Sequence, residues 1–132
     1  MKKRFLLAAG LLAGFTATVH AIVGTAEIHK PLLSAPLEES VSLVVYACWH
    51  LVTVTLFASS VALLQSSLPG RLSVSRPLVR FISVLWVLFA GVFAVVALAF
   101  SGPAALLVLP QWALLLPVGL LSWLGSSDSG AL

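Results

Sequence analysis

The chain has 132 residues, of which 61% are hydrophobic and only 8% are charged. Soluble globular proteins carry roughly 25% charged residues, and a domain of this size cannot bury so much apolar surface in its own core. The composition therefore excludes a soluble enzyme and a disordered chain, and it predicts lipid as the main solvent. The net charge of +3 rests on only seven basic residues. These are too few for a phosphate-binding face, so we expect no nucleic-acid partner.

Four apolar stretches are long enough to cross a bilayer as helices, which takes about 20 residues each. They cover residues 5–26, 41–64, 81–100 and 103–124. Unpaired backbone groups are costly in lipid, so only helices and closed barrels cross it, and these stretches lack the alternation of barrel strands. The sequence thus predicts an all-α integral membrane bundle. It is expected to be a single domain over residues 1–132, with four transmembrane helices and antiparallel neighbours.

Charged residues flank these stretches with alternating sign, which sets the predicted orientation. Basic residues precede the first stretch and separate the second from the third, whereas the first connection is acidic overall. The basic residues are Lys2, Lys3, Arg4, Arg71, Arg76 and Arg80; the first connection holds Glu27, Lys30, Glu38 and Glu39, and the tail holds Asp128. Basic residues favour the cytoplasmic side of a membrane. Both the N- and C-termini are therefore predicted to be cytoplasmic.

The first stretch also has features of a secretory signal peptide. A basic start, an apolar run and the small residues on either side of His20 are typical of a cleaved signal. The apolar run continues through Ile22 and Val23. This continuation favours a retained helix, with cleavage as the alternative.

Prolines, glycines and serines predict where regular structure is interrupted. Residues 65–80 are predicted to form a surface loop or an interfacial segment, and residues 101–103 a tight turn. Pro110 and Pro117 each remove a hydrogen bond from the fourth predicted helix. We expect that helix to be kinked or locally unwound beside Gln111.

Ionisable groups are costly inside a membrane, so each one needs an explanation. At 1.5 Å per residue, His20 lies about 9 Å from the outer end of the first predicted helix, and His50 roughly 13 Å from the outer end of the second. In antiparallel neighbours these depths differ by about one helical turn. Glu27 and His29 follow in the outer connection. A group of imidazoles and a carboxylate is therefore predicted near the outer face.

Helical spacing adds polar residues to this group. One stripe lies on each of the first two helices: Thr16, His20 and Gly24 on the first, and Tyr46, His50 and Thr53 on the second. Trp49 is expected on the flank of the second stripe. The predicted pocket opens outward. Its candidate metal ligands are His20, Glu27, His29 and His50. The supporting residues around them are Thr16, Tyr46 and Thr53.

Nitrogen and carboxylate groups of this kind bind divalent metal ions or pass protons. The first functional prediction is a membrane protein that binds a divalent metal ion or relays protons in this pocket. The alternative is that the same side chains only form hydrogen bonds between helices. A haem held by two histidines is a third interpretation. The sequence holds no nucleophile–base arrangement or phosphate-binding loop, so we predict that the protein is not an enzyme.

Small residues line one face of the first predicted helix: Gly10, Ala13, Gly14, Ala17 and Ala21. Such faces allow helices to approach closely in membranes. They predict a homo-oligomer, or an accessory subunit that packs against a larger membrane complex through this face.

A resemblance to a known family rests on a set of residues in the first two stretches: His20, Gly24, Glu27, Pro31-Leu32, Trp49-His50 and Thr53. These residues resemble the first helical hairpin of small uncharacterised four-helix membrane proteins of bacteria. The resemblance covers residues 20–53, about a quarter of the chain. It implies a multi-pass protein of the bacterial cytoplasmic (inner) membrane, and it implies no activity.

Overall fold

The computed structural model describes residues 2–69 and 72–127, and all regular structure among them is helical. The α-helices of this part of the chain are α1 (Lys3–Val19), α2 (Lys30–Leu33), α3 (Glu39–Ser66), α4 (Leu72–Ser101), α5 (Ala105–Val108) and α6 (Gln111–Ser126). Ten π-helical residues, His20–His29, join α1 to α2 and are called the π segment below. The predicted all-α fold is confirmed for the described residues. Arg71 and Asp128, which contribute to the charge pattern, lie outside them.

Within the described residues, three uninterrupted helices are long and apolar enough to cross a membrane. They are Lys3–Leu33, which comprises α1, the π segment and α2, then Glu39–Ser66 and Arg76–Ser101. They contain the first three predicted spans. Large apolar side chains such as Leu51 and Leu88 stay exposed along them. A soluble protein rarely exposes apolar surface on this scale, so the surface of these helices is suited to lipid.

The fourth predicted span, residues 103–124, is two helices separated by a break. Leu109 departs from helical geometry with a φ of −113° and a ψ of 70°, and α6 begins directly after Pro110. The expected interruption beside Gln111 is therefore present. Pro117, in contrast, lies inside α6 without ending it.

α6 has 16 residues, fewer than the about 20 that cross a bilayer alone. A hydrogen bond connects α6 to α5 across the break: the Trp112 indole N–H donates to the Leu106 carbonyl at 3.0 Å. In an unbroken helix that carbonyl would accept from the residue four positions later, which is Pro110 and has no N–H. Trp112 therefore satisfies the carbonyl that the proline leaves unpaired.

The connections on either side of α4 differ in how well they were predicted. The turn after α4 forms at Gly102, whose φ of 75° lies in the left-handed region that favours glycine. The loop prediction for residues 65–80 is wrong over most of its length, since α3 continues to Ser66 and α4 already begins at Leu72. Pro77 lies inside α4. It removes a single hydrogen bond near the start of the helix, which does not end it.

Glycine and serine set the spacing of the helices. α1 packs against α3 and α6, and α6 also packs against α4. Ser60 of α3 donates its hydroxyl to the Gly10 carbonyl of α1 at 2.8 Å. In the same way, Ser83 of α4 donates to the Gly119 carbonyl of α6 at 2.7 Å. A Cβ on Gly10 would lie 2.7 Å from Leu64 Cδ2 and 3.0 Å from the Leu64 backbone nitrogen, so a larger residue would have to displace Leu64.

The small-residue face predicted for α1 is covered by the chain itself. Ala13 and Ala17 are fully buried, and a Cβ on Gly14 would lie 3.0 Å from the Ser60 hydroxyl of α3. The face is thus used for packing within the bundle. An accessory-subunit role stays a prediction and needs a different surface.

Gly119→Ala is expected to destabilise the bundle. The added Cβ would lie 2.9 Å from the Ser83 carbonyl oxygen and 2.7 Å from Val87 Cγ2. We expect a loss of about 1–3 kcal/mol, typical of an overpacked core. Gly91→Ala is the matched control, since nothing lies within 4 Å of a Cβ there. Thermal unfolding in mild detergent measures both variants, and equal melting temperatures would contradict the described packing.

Candidate functional site

The π segment places His20 and His29 on the same side of the first long helix. In an α-helix of 3.6 residues per turn, nine residues make about two and a half turns, so these side chains would point in opposite directions. A π-helix connects residue i to i+5, as in the bond from the Lys30 N–H to the Thr25 carbonyl. Its turn holds a little over four residues, so nine residues make about two full turns. The two imidazoles therefore return to one side.

Both imidazoles stack on the indole of Trp49 in α3. The ring centroids of His20 and Trp49 are 4.2 Å apart, with planes inclined by 19°. Those of His29 and Trp49 are 5.3 Å apart, with planes inclined by 6°. Gly24 lies against the indole, since a Cβ there would be 3.0 Å from Trp49 Cη2. The missing side chain at Gly24 makes room for the indole beside the π segment.

The indole of Trp49 separates the two imidazoles. Both lie nearly parallel to it, yet in the described part of the chain no ring contact joins His20 to His29. Two rings stacked on the same face of one indole would touch each other, so these two lie on opposite faces. The predicted pocket is thus divided, with His20 on one side of Trp49 and His29 on the other.

His29 is the buried member of a cluster with Tyr46 and His50, called the His29 cluster below. His29 is 4% exposed, and its Nε2 has no hydrogen-bond partner. Its ring lies 5.0 Å from that of Tyr46, and 6.1 Å from that of His50 in a perpendicular arrangement. Tyr46 and His50 are exposed and contact each other at 4.5 Å. The cluster therefore joins an unpartnered buried nitrogen to an exposed imidazole and phenol.

The other predicted polar residues form hydrogen bonds elsewhere or face outward. Nε2 of His20 lies 3.4 Å from the Trp49 carbonyl oxygen, which also accepts the Thr53 hydroxyl at 3.0 Å. Thr16 donates to a carbonyl one turn earlier in α1 at 2.9 Å. Glu27 is exposed. Thr16 and Thr53 thus bond to backbone carbonyls, and neither forms a hydrogen bond with an imidazole.

The four predicted metal ligands do not form one set. Among the described residues, no three side chains of His, Cys, Asp or Glu are grouped to hold a single metal ion. The structure brings His29 and His50 together. His20 stacks on Trp49 instead, and Glu27 is exposed. Of the four predicted ligands, the pair considered further as a metal site is therefore His29 and His50.

Two features of the site were missed by sequence reasoning. Trp49, expected on the flank of its stripe, stacks on both His20 and His29. The π-helical register was missed because the stripes assume α-helical periodicity throughout. A signal existed in Gly24, since a glycine inside a helix can mark the close approach of another side chain.

Carbethoxylation with diethyl pyrocarbonate should distinguish the three histidines, because the reaction needs access to an unprotonated ring nitrogen. His50 is exposed, His20 is half-buried and His29 is 4% exposed, so we expect the rate to fall in that order. Mass spectrometry of peptides from the protein in mild detergent measures the three rates. The unfolded protein, in which the rates should converge, is the control. A His29 that reacts as fast as His50 in the folded protein would contradict the described burial.

Comparison of the chain with protein-family models, with curated proteins and with solved structures found no match. The resemblance of residues 20–53 to small bacterial membrane proteins therefore stays a prediction. Function must be argued from the geometry of the site.

Proposed function

We propose that this chain is a small multi-pass protein of the bacterial cytoplasmic membrane that binds a divalent transition-metal ion at His29 and His50. The observation that carries this proposal is the buried Nε2 of His29, which has no hydrogen-bond partner. Leaving a buried polar atom unpaired costs about 1–3 kcal/mol, so such an atom calls for an explanation, for example an ion or a water. Imidazole nitrogen is a suitable ligand for Zn²⁺, Cu²⁺ and Ni²⁺.

His50 supplies the second nitrogen of the proposed site. Its ring lies 6.1 Å from that of His29 and is exposed. A four-coordinate ion held by these two nitrogens would keep two further positions open for water or an exchanging ligand. Structural zinc sites are closed by four protein ligands, whereas open positions allow exchange. The arrangement therefore favours reversible uptake of an ion over a structural metal.

Metal binding is expected to require the His29 nitrogen. His29→Phe keeps a ring against Trp49 but removes the ligand, so affinity for Zn²⁺ or Ni²⁺ should fall by at least about tenfold. Trp123→Leu is the control, because it removes an exposed ring of α6 that lies away from the site. Isothermal titration calorimetry of metal-free protein in mild detergent measures both affinities.

The control affinity should stay within about twofold of wild type. No saturable binding of Zn²⁺, Cu²⁺ or Ni²⁺ to the wild-type protein would overturn the metal proposal. The absorbance spectrum of the same preparation tests the haem interpretation.

The proposed orientation places both termini in the cytoplasm and the His29 cluster at the outer face. Two contacts that involve basic residues support it. The Lys2 backbone N–H donates to the Gly125 carbonyl at 3.3 Å, and the Arg80 guanidinium lies 5.7 Å from the Trp123 ring centroid. Basic residues from distant parts of the chain thus meet at the end of α6, as expected for a cytoplasmic face.

Pairing of residues along α1 and α3 supports an antiparallel arrangement of these helices. Gly10 of α1 faces Leu64 of α3, and His20, which comes later in the chain than Gly10, stacks on Trp49, which comes earlier than Leu64. Contacts thus move forward along the first helix and backward along α3. In the proposal α5 and α6 together complete a fourth crossing beside α4, with which α6 packs extensively.

Reporter insertions test this orientation. Alkaline phosphatase inserted after Pro36 should be active, because its disulfides form only outside the cytoplasm. The same reporter fused to the C-terminus should be inactive, and a fluorescent protein fused there should be bright. Phosphatase activity at the C-terminus would contradict the proposed orientation.

A further inference from the structure

We infer that Trp49 is the positioning residue of the proposed metal site: its indole, held between His20 and His29, keeps the His29 imidazole beside His50. The consequence for metal affinity rests on the proposed function. The positioning itself rests on ring geometry and can be tested without metal.

The π segment explains why His29 needs such a contact. π-helices are rare and usually short, and this one extends over ten residues. Contacts outside the segment must therefore favour its register over an α-helix. The α-helical register would turn His29 about half a turn away from His20. Only the π register allows both imidazoles to stack on Trp49 while Gly24 receives the indole.

His20 holds the indole rather than a metal ion. Its ring is stacked on Trp49 at 4.2 Å, and its Nε2 lies 3.4 Å from the carbonyl oxygen of the same residue. Thr53 donates to that carbonyl as well, at 3.0 Å. His20 thus contacts both the ring and the backbone carbonyl of Trp49.

The indole sets the orientation of His29 as well as its place. The two ring planes are inclined by only 6°, and the His29 ring is nearly perpendicular to that of His50, at 86°. Stacking restricts tilting of the ring, so Nε2 of His29 stays in a plane nearly parallel to the indole. A ligand held in its binding orientation loses less freedom on binding, which raises affinity. Residues that orient a metal ligand typically contribute about 10–100-fold to affinity.

Proton NMR of the detergent-solubilised protein tests the positioning directly. Ring currents of a stacked indole shift imidazole ring protons upfield, so the ring protons of both His20 and His29 should be shifted in the metal-free protein. Trp49→Leu should remove the His20 shift and reduce that of His29, which Tyr46 also contacts, and Trp49→Phe should retain part of each. Trp123→Leu, which removes an exposed indole far along the chain in α6, is the matched control and should change neither. Unshifted His29 ring protons in the wild-type protein would overturn the inference.

Measurement of metal affinity distinguishes a positioning role of Trp49 from a merely structural one. Trp49→Leu should weaken Zn²⁺ or Ni²⁺ binding by about tenfold, and Trp49→Phe should restore most of the loss. Equal affinity of the Leu variant and wild type would overturn the positioning role. If wild type binds no metal, the proposed function fails, while the ring-proton shifts still decide whether Trp49 positions His29.

Gly24→Ala keeps the test available if Trp49→Leu does not fold. The added Cβ would lie 3.0 Å from Trp49 Cη2 and displace the indole. The upfield shifts should then decrease in a protein that retains every aromatic residue. A backbone coupling across the hydrogen bond from Lys30 to the Thr25 carbonyl reports the π register in wild type. Unchanged shifts in Gly24→Ala, or a coupling to residue 26 instead, would overturn the inference.

Discussion

The close approach of helix backbones at glycine is the constraint on which this bundle depends. Lipid removes the hydrophobic force between helices, so packing and interhelical hydrogen bonds must hold them together. At Gly10 and Gly119 the neighbouring helix is near enough for a serine hydroxyl to reach the glycine carbonyl. Such a contact sets the distance between two helices and also their register, because the hydroxyl reaches only one carbonyl.

The contact between Gly10 and Ser60 also determines which residues of α1 and α3 meet at the candidate site. At 1.5 Å per residue, His20 lies about 15 Å along α1 from Gly10, and Trp49 lies about 16 Å along α3 from Ser60. In the proposed antiparallel arrangement, that contact places the imidazole level with the indole. The π segment begins at His20, and its wider turn places His29 on the same side of the helix as His20. The site therefore depends on two separate features: the contact of Gly10 with Ser60 and the change from α-helix to π-helix at His20.

Much of the architecture could be predicted from the sequence, because long apolar runs and prolines act locally. The first three spans and the break at Pro110 follow from hydropathy and from the missing proline N–H. The three members of the His29 cluster were among the residues predicted for the pocket, since ionisable residues are rare in such a chain. Its arrangement was not, because a change from 3.6 to a little over four residues per turn moves His29 by half a turn. The contacts of Trp49 that accompany this change lie on another helix and leave no periodic pattern in the sequence.

An unpartnered buried nitrogen is not by itself a ligand site, and a second one in this structure shows why. Trp86 is fully buried, and its Nε1 also lacks a hydrogen-bond partner. An indole nitrogen is only a donor, so it offers no lone pair to an ion. A neutral imidazole always has one nitrogen with a free lone pair, and in the tautomer protonated at Nδ1 that nitrogen is Nε2. His29 differs from Trp86 in this chemistry and in its neighbours, since the exposed rings of His50 and Tyr46 lie beside it. The unpaired N–H of Trp86 is therefore only a cost to stability, whereas the unpaired Nε2 of His29 is the atom to which the proposed function assigns a cation.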